Sequence, residues 1–408
     1  MNHKKIDVFN YSNLKGIISI ILSLFILLSL FPFDSFAASS DIVVKGKYYD
    51  SAVEKTLMAS ATYSDGYFDK KSTKLQSGLA KLSILASSST YKASYATSLM
   101  KKCGYKSESK TKKVTAKDND HVSYVIGHKK SGKKTIVAVW VRGTSGNYEW
   151  VSNFNVGNGK THEGFSKAEA ELNSALKKYI KKNKIKGDVR FWLTGHSRGG
   201  AVANLLAVRL NKSYGKSKVY AYTFATPRVS TAAKSKGYEN IYNFINSGDF
   251  VTEVAPSAWK YKRYGKDIIL SSNKLGGMKK TFKNKSGEDY EGYTEAQKKA
   301  LLKAFISYCG KNVNAYYTKK TYTTKPSFFF GTGGETFEAS PADFCQKGIG
   351  YMFAGNTAEG LAYALKIGNC DSKAQNVISI MFANGGLSSG LAHAHCPTTY
   401  ISWLNAMY

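Results

Sequence analysis

Acidic residues and cofactor-binding motifs are scarce in this 408-residue sequence. It contains 28 Asp and Glu against 59 Lys and Arg. Its five cysteines match no zinc-binding spacing, and the segment HEGF at His162 lacks the second histidine of a zinc motif. No glycine-rich loop carries a phosphate-binding lysine. We therefore expect no cofactor and no metal ion, and the apolar fraction of 43% excludes a disordered chain.

Long apolar runs are confined to the start of the sequence. Residues 16–33 form an apolar run that follows three lysines and precedes a small-residue site ending at Ala37. This order is typical of a secretory signal peptide, so we predict that residues 1–37 are removed and that residues 38–408 are exported. An uncleaved anchor is the alternative, because about 18 apolar residues just span a bilayer.

The formal net charge of +31 is the strongest bias in the composition. The lysines are spread over many segments and do not form one dense basic arm, so no specific nucleic-acid partner is expected. A positive field attracts polyanions, and for an exported protein the nearest are anionic membrane lipids and cell-wall polymers. A solvated basic surface without a specific partner is the alternative interpretation.

The number of cysteines is odd, which leaves at least one free thiol in an exported chain. Four of the five lie after residue 300, where one or two disulfides would staple the chain, although the pairing stays open. No cysteine nucleophile is expected. The five are Cys103, Cys309, Cys345, Cys370 and Cys396.

Strand and helix patterns alternate through the middle of the chain. Helical spacing in residues 45–110 gives way after residue 121 to two β-rich runs, HVSYVIGHK and KTIVAVWVRGT. A long amphipathic helix is predicted in FSKAEAELNSALKKYIKKN, and further strands in VRFWLT, VYAYTFATP and NIYNFINS. This alternation predicts an α/β fold whose mostly parallel sheet is covered by helices on both faces.

The pentapeptide at residues 195–199, GHSRG, is a G-x-S-x-G element between a predicted strand and a predicted helix. In this context the serine occupies a strained turn, and a side chain at either glycine would collide with the neighbouring strand or helix. We therefore predict that Ser197 is a nucleophile. An ordinary glycine-rich turn is the alternative.

A serine hydroxyl needs a base to accept its proton, and that base is nearly always a histidine. In this arrangement the acid and then the histidine follow the serine along the chain. The later histidines are His393 and His395, and we favour His395 because it lies where a loop meets a final helix. Asp249, in a turn after the predicted strand NFIN, is the expected acid, with Glu253 as the spare candidate.

Stabilisation of a tetrahedral intermediate requires hydrogen-bond donors aimed at its oxyanion. The main-chain N–H of Arg198, which follows the nucleophile, is one expected donor. The second is expected after an earlier strand, where Arg142-Gly143-Thr144 makes Thr144 the candidate through its N–H and its hydroxyl. An ordinary turn at the strand end is the alternative.

Residues 271–388 interrupt the α/β pattern with basic, glycine- and tyrosine-rich loops. Two or three helices are predicted there, one of them beginning with a capping box formed by Thr294 and Gln297. The chain returns afterwards to a site-like segment around His395. We interpret residues 271–388 as a cap-like insertion within one domain, residues 38–408, and expect it to cover or border the active site.

Taken together, these segments resemble the class 3 lipase family, the fungal-lipase-like branch of the α/β-hydrolases. The resemblance covers roughly residues 45–270 and 389–408, and is carried by VAVWVRGT, THEGFSKA, FWLTGHSRGGAVANLLA, YTFATPRV, NSGDFVTEVAP and AHCPTTYISWL. It implies hydrolysis of glycerolipid esters through an acyl-enzyme. It also implies Ser197 as nucleophile, Asp249 as acid, His395 as base, and Thr144 and Arg198 at the oxyanion hole.

Two departures from the family pattern affect these expectations. The 146 residues between Asp249 and His395 exceed the spacing in simple members, and the segment after Thr144 is short and polar where fungal members carry a helical lid. We expect the insertion to replace that lid, because it contains the aromatic stretches SFFF (327–330) and GYMF (350–353).

Three functions remain open from the sequence. The leading one is an exported lipase or esterase acting on acylglycerols, and phospholipase A1 activity on anionic phospholipids competes with it because of the basic surface. A non-catalytic protein that binds through its basic face is a second class. A protease is disfavoured, because no segment resembles a peptide-binding strand or specificity pocket.

Overall fold

The computed structural model describes residues 65–111, 115, 117–145, 148–270, 272–353, 356–383 and 390–408. The signal peptide predicted at residues 1–37 lies outside the described residues. Within the described ranges, no helix is both long and apolar enough to cross a membrane.

The strands and helices are numbered here in chain order. The strands are β1 (Lys106–Lys110), β2 (Tyr124–Ser131), β3 (Lys134–Val141), β4 (Asp188–His196), β5 (Val219–Phe224), β6 (Ile241–Asn246), β7 (Lys266–Leu270), β8 (Lys320–Thr323) and β9 (Thr336–Ala339). The helices are α1 (Ser77–Ser89), α2 (Ala93–Lys102), α3 (Glu149–Asn153), α4 (Glu163–Lys182), α5 (Arg198–Tyr214), α6 (Leu275–Ser286), α7 (Glu295–Cys309), α8 (Val313–Tyr317), α9 (Thr357–Cys370), α10 (Ser372–Ala383), α11 (Ala392–His395) and α12 (Pro397–Met407).

Within the described residues, strands β1 to β7 form one sheet in which spatial order follows chain order. The pairs β1–β2 and β2–β3 are antiparallel, and β3 to β7 run parallel. The predicted α/β fold with a mostly parallel sheet is therefore confirmed, and its architecture is that of an α/β-hydrolase.

The strand order explains how the two faces of the sheet are covered. Parallel strands that advance in one direction, joined by crossovers of one hand, leave their connecting helices on the same face. Accordingly α4 and α5 both pack on one face, against Val137 and Val139 of β3. Ala138, which lies between them, and Trp140 point to the opposite face, where α1, α2, α6 and α12 complete a second core. Elements from both ends of the described chain thus cover the second face.

The segment 271–388 contains more regular structure than the two or three helices predicted. It holds α6 to α10, the β8–β9 hairpin and a π-helix, Phe344–Gly350, flanked by short helical segments. The prediction was wrong because α8 has only five residues, too few for a periodic pattern, and because α6 (LGGMKKTFKNKS) is rich in glycine and lysine. The capping box of Thr294 and Gln297 at the start of α7 is confirmed.

The insertion shares a core with the segment that follows β6. Phe250 and Val254 pack in one apolar cluster with Leu301 and Phe305 of α7. Cys309 and Cys345 lie in the same cluster with their Sγ atoms 3.9 Å apart, and all five cysteines are free thiols in the structure. The disulfides considered from the sequence are therefore not present in it.

Candidate active site

Ser197 lies at the carboxyl end of β4, immediately before the first residue of α5. Its backbone has φ 56° and ψ −128°, a left-handed conformation that is costly for a residue with a side chain. A Cβ on Gly195 would lie 2.2 Å from the carbonyl oxygen of Gly199, and one on Gly199 would lie 2.4 Å from that of Val141. The turn thus requires glycine on both sides, as the sequence predicted.

The structure brings Ser197, His395 and Asp249 into one hydrogen-bonded series. Nε2 of His395 lies 2.8 Å from Oγ of Ser197, and Nδ1 lies 2.8 Å from Oδ2 of Asp249. Because a carboxylate only accepts, Nδ1 carries the imidazole proton and Nε2 is left to accept from the serine hydroxyl. Ser197 follows β4, Asp249 follows β6, and His395 is the last residue of α11, shortly before α12.

The Asp249 carboxylate is fully buried and accepts two further hydrogen bonds. The main-chain N–H of Val251 donates to Oδ1 at 3.0 Å, and the hydroxyl of Tyr400 donates to Oδ2 at 2.7 Å. Burial and the nearby negative charge of Asp249 hold the pKa of Tyr400 well above its usual value, so this phenol stays protonated. Tyr400, on α12, therefore fixes the carboxylate that orients His395.

His196 holds the backbone of His395 from the other side. Its Nε2 lies 2.7 Å from the carbonyl oxygen of His395, and its Nδ1 lies 2.7 Å from the hydroxyl of Tyr91. Burial, together with the proximity of His395, keeps the pKa of His196 well below its usual value. The neutral ring therefore donates from Nε2 and accepts from Tyr91, which gives the residue before Ser197 a positioning role.

The loop after β3 runs beside the serine turn. Val141 pairs with Gly195 in the sheet, so the residues that follow each strand emerge next to each other at the carboxyl edge. Nη2 of Arg142 lies 3.1 Å from the buried carboxylate of Glu149, which also accepts from the N–H of Ser145 at 3.3 Å. These contacts fold the loop back onto α3.

Asn153, the last residue of α3, connects this loop to the residue after the serine. Its Nδ2 donates to Oγ1 of Thr144 at 2.9 Å, and its Oδ1 accepts from Nη1 of Arg198 at 3.4 Å. Its carbonyl oxygen lies 3.1 Å from Nε2 of His162. Because a guanidinium only donates, the amide must face Arg198 with its oxygen, and Thr144 therefore accepts a hydrogen bond from the amide nitrogen.

The side chain of Arg198 is buried, although the sequence suggested a role only for its main-chain N–H. Its guanidinium donates to Oγ of Ser152 at 2.7 Å and reaches the carbonyl oxygens of His121 and Gly164 at 3.3 and 3.4 Å. Burial lowers the pKa of Arg198, and the charge of Glu149 opposes this shift. The Arg198 guanidinium, on the first residue of α5, therefore links α5 to α3 and to the start of α4 next to the serine.

The two alternative candidates from the sequence lie outside the hydrogen-bonded series. Glu253 forms ion pairs with Arg228 at 2.6 Å and with Lys298 of α7 at 3.1 Å. Burial raises the pKa of Glu253, but these two cations outweigh that effect and keep it below the usual value. His393 is buried, and its Nδ1 accepts from the N–H of Glu291 at 3.1 Å. Both residues therefore bind residues 271–388 to the chain segments on either side, through Lys298 and Glu291.

An apolar cavity lies beside Asn153, between the segment after Asp249 and the insertion. Its walls come from α3, from residues 250–254, and from α7, α10 and the π-helix region. The lining residues are Trp150, Asn153, Phe154, Pro227, Phe250, Val251, Val254, Tyr293, Leu301, Phe305, Ile349, Phe353, Val377, Met381 and Leu391. Among the residues with described structure, no cluster of three or more His, Cys, Asp or Glu side chains is arranged to hold a metal ion.

Comparison with known proteins identifies relatives of the central part of the chain. Residues 137–259 match the lipase (class 3) family. Over 100 residues, 24% of this chain and 15% of the relative, the sequence is 35% identical to toxin TseL of Vibrio cholerae serotype O1. Over 161 residues, 36% of this chain and 46% of the relative, it is 30% identical to secreted mono- and diacylglycerol lipase 1 of Fusarium solani. The chain thus spans less than half the length of either relative.

Two solved structures are also similar. The triacylglyceride lipase of Rhizomucor miehei is 20% identical, with 48% of this chain and 80% of that chain covered and a TM-score of 0.34. A lipase of Rhizopus microsporus var. chinensis is 17% identical, with 47% and 72% covered and a TM-score of 0.33.

Proposed function

We propose that the chain, whose residues 137–259 match the lipase (class 3) family, is a serine hydrolase of that family and cleaves carboxylic esters of acylglycerols. The observation that carries the proposal is the hydrogen-bonded series in which His395 lies 2.8 Å from both Ser197 Oγ and Asp249 Oδ2. The apolar cavity, which is lined by Asn153 and by Val251, two residues after Asp249, supports an acyl chain as the group bound. The name of the Fusarium relative supports the same substrate class.

In the proposed reaction, Oγ of Ser197 attacks the ester carbonyl carbon while Nε2 of His395 takes its proton. Asp249 stabilises the imidazolium that forms, and Tyr400 keeps the carboxylate in place. The N–H of Arg198, with the N–H and hydroxyl of Thr144, donates to the oxyanion. His395 then protonates the leaving alcohol, and a water molecule, activated by the same base, hydrolyses the acyl-enzyme.

Covalent labelling tests the nucleophile independently of the natural substrate. A fluorophosphonate should label the wild-type protein at Ser197 and should not label Ser197→Ala. Hydrolysis of p-nitrophenyl butyrate should disappear in the same variant. A folded wild-type protein that is neither labelled nor active would refute the enzyme and would favour the non-catalytic basic binding protein.

We further propose that residues 271–388 act as a cap that forms part of the acyl-binding site within a single domain. The support is the shared core with residues 250–254 and the presence of Val377 in the cavity wall. Val377→Phe should narrow the cavity and lower hydrolysis of p-nitrophenyl palmitate at least tenfold more than that of the butyrate. Ile378→Phe overpacks the same helix without entering the cavity wall, so it is the matched control. Equal chain-length profiles in the two variants would contradict the cap.

Phospholipase A1 activity is the second candidate, because the net charge of +31 favours anionic phospholipids over neutral acylglycerols. A panel of phosphatidylglycerol, phosphatidylcholine and triacylglycerol distinguishes the two, since only a phospholipase would prefer phosphatidylglycerol. We also propose that the protein is exported and associates electrostatically with anionic membranes or cell-wall polymers. The predicted signal peptide and the secreted Fusarium relative support export. N-terminal sequencing of secreted protein should find residue 38 first.

A further inference from the structure

The hairpin of β8 and β9 exposes two phenylalanine rings at its tip. Phe328 is 74% exposed and Phe329 is 48% exposed, with their ring centroids 5.6 Å apart in an edge-to-face arrangement. Phe328 is the most exposed large apolar side chain among the described residues. By contrast, Met352 and Phe353 of the second aromatic stretch are buried. The first aromatic stretch of the insertion therefore exposes rings to solvent, whereas Met352 and Phe353 of the second lie in the interior.

The tip is an ordered turn. The N–H of Ser327 donates to the carbonyl of Gly331 at 3.0 Å, and the N–H of Phe330 donates to Oγ of Ser327 at 3.1 Å. The N–H of Gly334 closes the loop by donating to the carbonyl of Thr324 at 2.8 Å. The backbone thus holds the rings outward before any partner binds, which reduces the conformational entropy lost on binding.

The chain segment that carries the two rings is basic. Residues 319–334 contain Lys319, Lys320 and Lys325 but no Asp or Glu. Lys319 and Lys325 are exposed, whereas Lys320 lies 4.0 Å from Asp371. The next carboxylate along the chain, Glu335, is paired with Lys366, and Glu338 is exposed on β9. Exposed aromatic rings next to lysines match the layered chemistry of an anionic lipid surface, whose charged head groups cover an apolar interior.

We propose that the tip of this hairpin, residues 324–334, inserts into the surface of an anionic phospholipid layer. Phe328 and Phe329 enter the boundary between head groups and acyl chains, while Lys325, within the tip, contacts the anionic head groups. The inference rests on the proposed function only in choosing a lipid as the partner. It goes beyond general electrostatic attraction, because it assigns the contact to one loop and includes apolar insertion.

The test uses the full chain carrying Ser197→Ala, so that the vesicles are not hydrolysed. Cosedimentation is measured with vesicles of phosphatidylcholine containing 30% phosphatidylglycerol, and with pure phosphatidylcholine. Phe328→Ser/Phe329→Ser should weaken binding to the anionic vesicles by roughly 100-fold or more, because burying each of the two phenylalanines is worth about a factor of ten or more. The matched control is Ile269→Ser, which removes another exposed apolar side chain, 52% exposed on β7, and should change binding less than about twofold.

Lys325→Gln should weaken binding to the anionic vesicles by roughly fivefold and leave the weak binding to pure phosphatidylcholine unchanged. The same substitutions, made in the active protein that retains Ser197, should leave hydrolysis of p-nitrophenyl butyrate at the wild-type rate. A soluble ester needs no lipid surface. That assay separates failure of this inference from failure of the proposed function.

Two results would overturn the inference. One is vesicle binding that the double phenylalanine variant leaves intact. The other is a dimer in size-exclusion chromatography with light scattering that the same variant converts to monomer without any effect on vesicle binding. The second result would assign the rings to a contact between two copies of the chain.

Discussion

Replacing Asn153 with aspartate should separate the catalytic use of Thr144 from the folding of its loop. In the structure the Asn153 amide nitrogen donates to Oγ1 of Thr144 at 2.9 Å, so the proton of the Thr144 hydroxyl is left for another acceptor. An aspartate of the same shape offers only oxygens. The Thr144 hydroxyl would then turn its proton toward residue 153 and away from the oxyanion.

The expected decrease in kcat depends on the oxyanion donors that remain in the variant. Loss of one oxyanion donor costs about 10²–10³ in kcat in serine hydrolases. Here the main-chain donors of Thr144 and Arg198 stay in place, so we expect Asn153→Asp to lower kcat for p-nitrophenyl butyrate by roughly 10- to 100-fold. The fold should persist, because the new carboxylate faces the buried guanidinium of Arg198, whose Nη1 already lies 3.4 Å from Oδ1.

A double-mutant cycle provides the decisive measurement. Thr144→Val removes the hydroxyl directly, so Thr144→Val/Asn153→Asp should be no slower than Thr144→Val alone. Thermal unfolding should show each variant folded at the assay temperature. If Asn153→Asp retains kcat within about threefold of wild type, or if the two losses simply multiply, the proposed route through the Thr144 hydroxyl is wrong.

Other predictions concern the residues around the base. Tyr400→Phe removes a hydrogen bond to a buried carboxylate, worth about 1.5–3 kcal/mol, and should lower kcat roughly tenfold or more. Tyr242→Phe should leave kcat unchanged, because the buried Tyr242 hydroxyl has no hydrogen-bond partner among the described residues. His395→Ala should abolish p-nitrophenyl butyrate hydrolysis, whereas His393→Ala should mainly lower the melting temperature; the reverse pattern would show that the wrong histidine was chosen. Burial lowers the pKa of His162 from 6.5 to about 3, so between these values the unfolded chain binds a proton that the folded chain does not. The free energy of unfolding should therefore decrease as pH falls from 7 to 5 in urea titrations, and His162→Gln should weaken that decrease; an identical slope would contradict it.

The sequence predicted most strands of the sheet and the meeting of Ser197, Asp249 and His395, because these depend on short motifs and on strand order. The helical prediction for residues 45–110 was wrong at its end, where Lys106–Lys110 form β1 by pairing with the distant β2. It did not identify Tyr400, His196 or Asn153 as positioning residues. Their contacts depend on how distant elements dock: Tyr400 is 151 positions from the carboxylate that it contacts. The sequence does show a tyrosine in the final predicted helix and a histidine beside the serine. Either residue could equally have been a side chain of the core with no role at the site.

The structure of the insertion, residues 271–388, could also be predicted only in part from the sequence. The capping box at Thr294 marks the start of α7 because it is a local signal. Asn312 caps α8, and Ser340 forms a second capping box with Asp343, but the helices that begin there are too short to show a periodic pattern. The apolar residues of these elements pack in one cluster with the segment after β6. Their structure therefore depends on packing against residues far away along the chain.

The positions of Tyr91 and Tyr400 have a consequence for how the protein loses activity. One tyrosine follows α1 near the beginning of the described chain and holds His196; the other lies on α12 and holds Asp249. Cooperative opening of either terminal region releases one support of His395 while the central strands stay paired. Ester hydrolysis is then the most sensitive reporter of partial unfolding, and in a denaturant series it should disappear before the far-UV circular dichroism of the sheet and its helices changes.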